Sequence, residues 1–229
     1  MIQFRKAERK QAKLRLALVA PSGHGKTYSS LLIAKGLGGK IAMIDTENGS
    51  GDLYAGVTDY DIITMNAPYL PEKYIMAIKA AEEAGYDTLI IDSLSHAWSG
   101  EGGLLDQQGK IADSGRGNSY TAWRTITPKH NQLVETILSS KLHIITTLRA
   151  KTEYIVEEEN GKKTVKKVGL APVQRDGLEY EFTIVMDIDK THIGSASKDR
   201  TGLFDGQFVK MDEKVGESLK QWLHNSDKN

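Results

Sequence analysis

The chain has 229 residues, 39% of them hydrophobic, and a formal net charge of zero at pH 7. That length suits one α/β domain with insertions, and the balanced charge leaves any nucleic-acid contact to local patches. Cysteine is absent, which excludes disulfides, thiolate metal sites and thiol nucleophiles, and neither a membrane span nor a signal h-region is visible, so a cytoplasmic chain with no membrane partner is expected.

Residues 1–13 form a basic N-terminal segment. Arg5, Lys6, Arg9, Lys10, Lys13 and Arg15 stand against Glu8 alone. Two readings stay open: a solvated arm, or a contact to DNA phosphate. The domain itself is expected over 14–224, followed by a tail at 225–229.

Leu14 to Val19 is an apolar, β-capable run. Ala20-Pro21-Ser22-Gly23-His24-Gly25-Lys26-Thr27 follows, and Tyr28 to Gly36 reads as a helix. Strand, glycine loop and helix are the context in which this pattern cradles phosphate. The glycines let backbone N–H groups turn inward, and the helix N-terminus adds positive potential. Pro21 to Tyr28 are thus the candidate nucleotide-binding residues. Lys26 would reach the β/γ-phosphates of ATP, and the Thr27 hydroxyl would hold Mg²⁺.

Lys40 to Asp45 reads as a second buried strand ending in Asp45-Thr46-Glu47. Acids at the carboxyl end of a parallel strand sit at the ligand crevice, so Glu47 is a candidate to activate the attacking water. Tyr60 to Met65 reads as a strand. A helix opens at Pro71 and stops at Gly85, with Ile75, Ile78 and Ala81 or Glu82 on its buried stripe. Asp87 to Asp92 is an apolar run ending in an acid, and Asp92 would hold Mg²⁺ opposite Thr27. Ser93, not a glutamate, follows it, which raises Glu47 as the base.

Residues 99–119 are glycine-rich and read as a long functional loop carrying Lys110 and Arg116. Tyr120 to Ser140 reads as a helix with a kink or break near Pro128. Leu142 to Leu148 is the next strand, and Thr147 at its end could sense the γ-phosphate. Tyr154 to Lys167 reads as a hairpin turning at Asn160-Gly161, with Glu159 facing Lys162, Glu158 facing Lys163 and Val156 facing Val165. It is either a charge-laced surface hairpin or an arm whose Arg149, Lys151, Lys166 and Lys167 touch phosphates while Tyr154 stacks on a base. Glu181 to Asp189 and Thr191 to Ala196 read as late strands. Lys198 and Arg200 on an exposed turn are surface cations or a finger toward a neighbour's γ-phosphate. Val215, Leu219, Trp222 and Leu223 give a last helix its core stripe.

Assembled, these residues resemble the RecA-like recombinase core from Leu14 to Phe208. Ile44-Asp45-Thr46-Glu47 is similar to the strand ending in that family's catalytic glutamate, and Ile91-Asp92-Ser93 to its Mg²⁺-binding strand. The resemblance places 99–119 and 149–177 at the two DNA-binding loops, Thr147 at the family's glutamine, and Lys198 and Arg200 at the cations inserted into the adjacent subunit. Phe4-Arg5-Lys6-Ala7 fits the F-x-x-A pattern by which some such recombinases dock on a neighbour. The chain further resembles small phage-encoded RecA-like proteins of the Sak type. That resemblance implies an α/β fold with a mainly parallel sheet, helices on both faces, late antiparallel strands and a protruding hairpin. It also implies a DNA-stimulated ATPase using ATP and Mg²⁺, which binds single-stranded DNA and promotes annealing or recombination as a ring or filament, with a single-strand-binding protein as a further partner. A Thr in place of the glutamine puts the coupling of ATP to DNA in question. Two other readings stand beside it: a P-loop kinase for a nucleotide or metabolite, and an ATP-dependent assembly module with little turnover. No Asn-Lys-x-Asp motif for guanine is present.

Overall fold

The structure, a computed structural model, describes residues 4–9, 12–114, 118–159 and 162–224. For residues 152–170 it describes the backbone alone. The apolar runs become strands β1 (Arg15–Ala20), β2 (Ile41–Asp45), β3 (Asp61–Thr64), β4 (Thr88–Asp92) and β5 (His143–Glu159). After β6 (Lys162–Pro172) come β7 (Ile184–Ile188), β8 (Ile193–Asp199) and β9 (Phe208–Lys210). The sheet order is β3-β2-β4-β5-β1-β7-β8-β9, with β6 paired to β5 alone. β1, β2, β3, β4, the first part of β5 and β7 run parallel, β8 pairs antiparallel to β7, and β9 pairs antiparallel to β8. This is the expected fold class.

Alternation along the buried strands feeds two cores. Ala17, Val19, Ile44, Ile91 and Ile144 face helices α2 (Pro71–Glu83), α3 (Ser95–Ser99) and α5 (Ser119–Ser139). Leu16, Leu18, Met43, Ile90 and Ile145 face α1 (Lys26–Leu37) and α6 (Glu213–His224). Glycine lets α1 and α6 cross closely. A Cβ on Gly36 would lie 2.1 Å from the Glu213 carbonyl oxygen, and one on Gly216 would lie 2.1 Å from that of Ile33. Trp222, expected on the core stripe, is only half-buried. Arg9 of the N-terminal segment lies over its ring, 5.0 Å from the centroid.

Other expectations need correction. Residues 99–119 are not one loop: α4 (Leu104–Asp113) occupies their middle, with Gly109 inside it. Burial of Leu104 anchors that helix, and among the described residues the Gly100–Gly103 turn uses glycine geometry, Gly102 having φ +75° against Pro68. α5 runs unbroken through Pro128, which is exposed, so water can satisfy the carbonyl left without its N–H partner. Its start is fixed by a capping box between Asn118 and Thr121. β9 was not visible in the sequence because three residues carry no period.

Arg15 does not belong with the solvated cations. It is 5% exposed, and its guanidinium donates to the carbonyls of Leu14, Leu138, Ser140 and Leu142. It closes the end of α5, whose last carbonyls have no helical partner. Burial holds it down to about 10.

The hairpin is longer than expected. β5 passes from the parallel sheet straight into the arm, and β6 returns as far as Pro172. The register is the expected one: Glu159 opposite Lys162, Glu158 opposite Lys163, Val156 opposite Val165, Ile155 opposite Lys166 and Tyr154 opposite Lys167. From Ala150 to Glu159 the arm reaches about 30 Å. Its Asn160-Gly161 turn lies outside the described residues.

Candidate active site

The crevice forms where the carboxyl ends of β1, β2, β4 and β5 meet. The P-loop turns on Gly23 and Gly25, at φ +80° and +77°. A Cβ on Gly25 would lie 2.6 Å from the His192 imidazole, so the loop has room for glycine only. His192 Nδ1 lies 3.1 Å from the His24 carbonyl oxygen, and His24 Nδ1 lies 3.4 Å from that of Ile188. The turn between β7 and β8 therefore closes over the loop. Sequence reasoning missed His192, whose only local signal is its position in a turn.

Lys26 is 9% exposed and donates to the carbonyls of Ala20 and Pro21, both at 2.9 Å. Burial lowers its pKa, against the raising pull of Asp92 and Glu47. Thr27 Oγ1 donates to Asp92 Oδ2 at 2.6 Å, and Thr147 donates to Asp92 Oδ1. Asp92 is 2% exposed, and burial pushes its pKa up. Tyr28 is partly exposed, its ring 6.1 Å from that of Tyr54.

A buried carboxylate facing a threonine hydroxyl is a hard-oxygen pair of the kind Mg²⁺ takes when waters and phosphate supply its other ligands. The positive-φ glycines, the buried Lys26 amine and the N-terminus of α1 suit a polyphosphate. The residues thus fit both groups: Thr27 and Asp92 would hold the metal, and 21–28 the phosphates.

Glu47 stands beyond the end of β2. Asp45, fully buried, accepts from the backbone N–H of Glu47 at 2.6 Å and of Gly51 at 3.0 Å, which shapes this corner. Arg149, where β5 leaves the parallel sheet, reaches across β4 to Glu47. Its Nε donates to Oε1 at 2.9 Å and its second nitrogen to Oε2. Burial pushes Glu47 up, but the bonds and charge of Arg149 outweigh it and hold the carboxyl below its ordinary value. The bond to Glu47 raises Arg149 in turn. Arg149 was expected on the DNA-contacting arm; its guanidinium is engaged in the crevice instead.

α3 ties this corner together. Ser95 Oγ accepts from the Arg149 backbone N–H at 2.9 Å, and His96 Nδ1 lies 2.7 Å from Thr46 Oγ1. Gln174, on the chain leaving the arm, donates to the Leu94 carbonyl at 3.2 Å.

The remaining candidates lie elsewhere. Lys110 sits on α4 and pairs with Asp106 at 2.7 Å, so the expected loop cation is a helix-surface ion pair. Lys151 is exposed at the arm's root. Arg116 and the side chains of Tyr154, Lys166 and Lys167 lie outside what the structure describes. Lys198 is on strand β8, not a turn, and donates to the Tyr180 carbonyl; Arg200 reaches the same oxygen at 3.4 Å.

The sequence family described as an AAA domain matches residues 12–223. No curated protein matches the chain. Among solved structures, one it is similar to is an ATPase from the type III secretion system of pathogenic bacteria, at 14% identity. That similarity covers 91% of this chain and 62% of the other, with a TM-score of 0.48.

Proposed function

The chain belongs to the AAA-domain family and carries a P-loop ATPase domain, and from that premise we propose that it hydrolyses ATP in response to single-stranded DNA, as an oligomer acting in annealing or recombination. The observation that supports this most is the Glu47–Arg149 pair. It sets the candidate base against a residue at the root of a long arm, so that moving the arm's root would alter the base. Mg²⁺, when bound, neutralises charge on the phosphates. Lys26 binds the phosphate chain, Thr147 and Thr27 orient the Asp92 carboxylate, and Glu47 accepts a proton from water once Arg149 releases it.

Two features favour assembly. Phe4, in Phe4-x-x-Ala7, is 101% exposed. On the outer edge of the sheet, β3 and α2 form a groove of about 400 Å³ lined by Ile44, Ile63, Ala77, Ala80 and Ala84. An exposed phenyl ring and an alanine-lined groove beside an edge strand are complementary between two copies. Phe4→Ala should convert an oligomer to a monomer in light scattering, and an unchanged mass would end this part of the reading.

ATP turnover with and without a single-stranded oligonucleotide, with Lys26→Ala as blank, tests the whole. Stimulation lost in the variant is the expected result; turnover indifferent to DNA would overturn the DNA part and leave an assembly ATPase.

A further inference from the structure

A cluster outside the arm is suited to hold bases. On the α2–α5 face, Trp98 of α3 and Trp123 of α5 stack with ring centroids 5.7 Å apart and planes 21° from parallel. The Arg175 guanidinium lies over Trp123, 5.5 Å from its centroid, and donates to Thr127 at 3.3 Å. The His130 ring meets Trp98 edge-on at 6.1 Å.

This cluster opens to solvent along α5. Tyr120 lies one turn before Trp123, at the spacing that shares a face, and is 78% exposed. Arg124 follows it at the next such position and is also exposed. Both tryptophans and Arg175 are half-buried, so each keeps a surface to water. An exposed tyrosine ring and an exposed guanidinium four residues apart on α5, beside the half-buried tryptophans and Arg175, match what single strands need: a flat face for a base and cations for the backbone.

We propose that Trp98, Trp123 and Arg175, extended by Tyr120 and Arg124, form a base-stacking site for single-stranded DNA. This deepens the DNA reading above and rests on it. The site is held on the crevice's own scaffold. Trp98 belongs to the five-residue helix whose Ser95 and His96 contact Arg149 and Thr46, and Arg175 follows Gln174, which bonds Leu94. A strand seated here presses on the helix that positions the Glu47–Arg149 corner.

The chain supplies its own probe, because its three tryptophans are Trp98, Trp123 and Trp222. In a Trp222→Phe background, emission reports the proposed site alone. Adding an oligothymidylate should quench it, and an abasic oligomer of equal length should not. Tyr120→Ala with Arg124→Ala, and separately Arg175→Ala, should weaken binding of a labelled oligothymidylate roughly tenfold or more. The first pair changes exposed residues, so its folding is not at stake, and melting curves verify it. Tight binding with unmoved tryptophan emission, or equal affinity for the abasic oligomer, would overturn the site while leaving the DNA reading intact. No binding by the unaltered chain at low salt with ATP would remove the DNA reading and this site together.

Discussion

The nucleotide crevice and the aromatic face of α5 lie on either side of α3, and they hold their polar groups in opposite ways. In the crevice Lys26 is already engaged with two carbonyls, Thr27 and Thr147 with Asp92, and Arg149 with Glu47. On α5, Tyr120 and Arg124 are exposed. A site that must change state needs resting partners for its charges, since an unpaired buried charge is costly. A site that must accept a flexible polymer needs open faces and pays little while empty. On the proposed reading, the contrast separates a switchable centre from a standing platform.

The comparison breaks most sharply at Lys26 and Glu47. Lys26→Ala should abolish turnover. Glu47→Gln should lower kcat by about two orders of magnitude while ATP binding persists, and oligonucleotide affinity should stay as it was in both. A parallel loss of DNA binding, read by anisotropy, would show that the two regions are one site.

Next in size is Gly216→Ala. The added methyl must displace backbone of α1, so a loss of about 3 kcal/mol, or roughly 10 °C in Tm, is expected from calorimetry. Because α1 carries the P-loop, nucleotide affinity should suffer before oligonucleotide binding does.

Acid should act on both regions equally, through the scaffold. His143 Nδ1 accepts from the Leu14 N–H at 3.0 Å, and burial first, then Lys13 and Arg15, lower its pKa to about 4. Between the unfolded value of about 6.5 and that folded value, the unfolded chain binds the extra proton. Stability should fall by about 3 kcal/mol as pH drops through this window and level off below it, in denaturant titrations at several pH values. His143→Gln should flatten the profile.

The smallest expected effect sharpens the contrast most. Arg149→Ala removes the resting partner of Glu47, so turnover without DNA should rise several-fold and the ratio gained on adding DNA should shrink. A plain fall in both rates would mean that Arg149 serves the chemistry and not the resting state.

Much of the crevice was legible because its signals are local. The P-loop, the strand ending at Asp92 and the acid after β2 each sit within a few residues, and strand ends converge in any parallel sheet. The Glu47–Arg149 pair was not legible, because its partners are 102 residues apart and meet across an intervening strand. Arg15 looked like one more cation in a basic run; its role depends on where α5 ends in space. Residues 99–119 were misread since six glycines outweighed a single buried leucine, and Trp98 and Trp123 were passed over because neither carries a motif. The hairpin register, fixed by one turn and by alternation, was read correctly through a segment far from the core.

The cation–π contact of Arg9 on Trp222 has a consequence for spacing. It pins the N-terminal segment to the last turns of α6, which the glycine crossing pins to α1. Only five residue-to-residue steps separate Arg9 from Phe4, a leash of about 17 Å when fully stretched. Whatever groove receives that phenyl ring must lie within its radius. In the proposed oligomer the N-terminus would act as a ruler, its length set by the interval between one aromatic and one arginine, and lengthening that interval should loosen the spacing between copies.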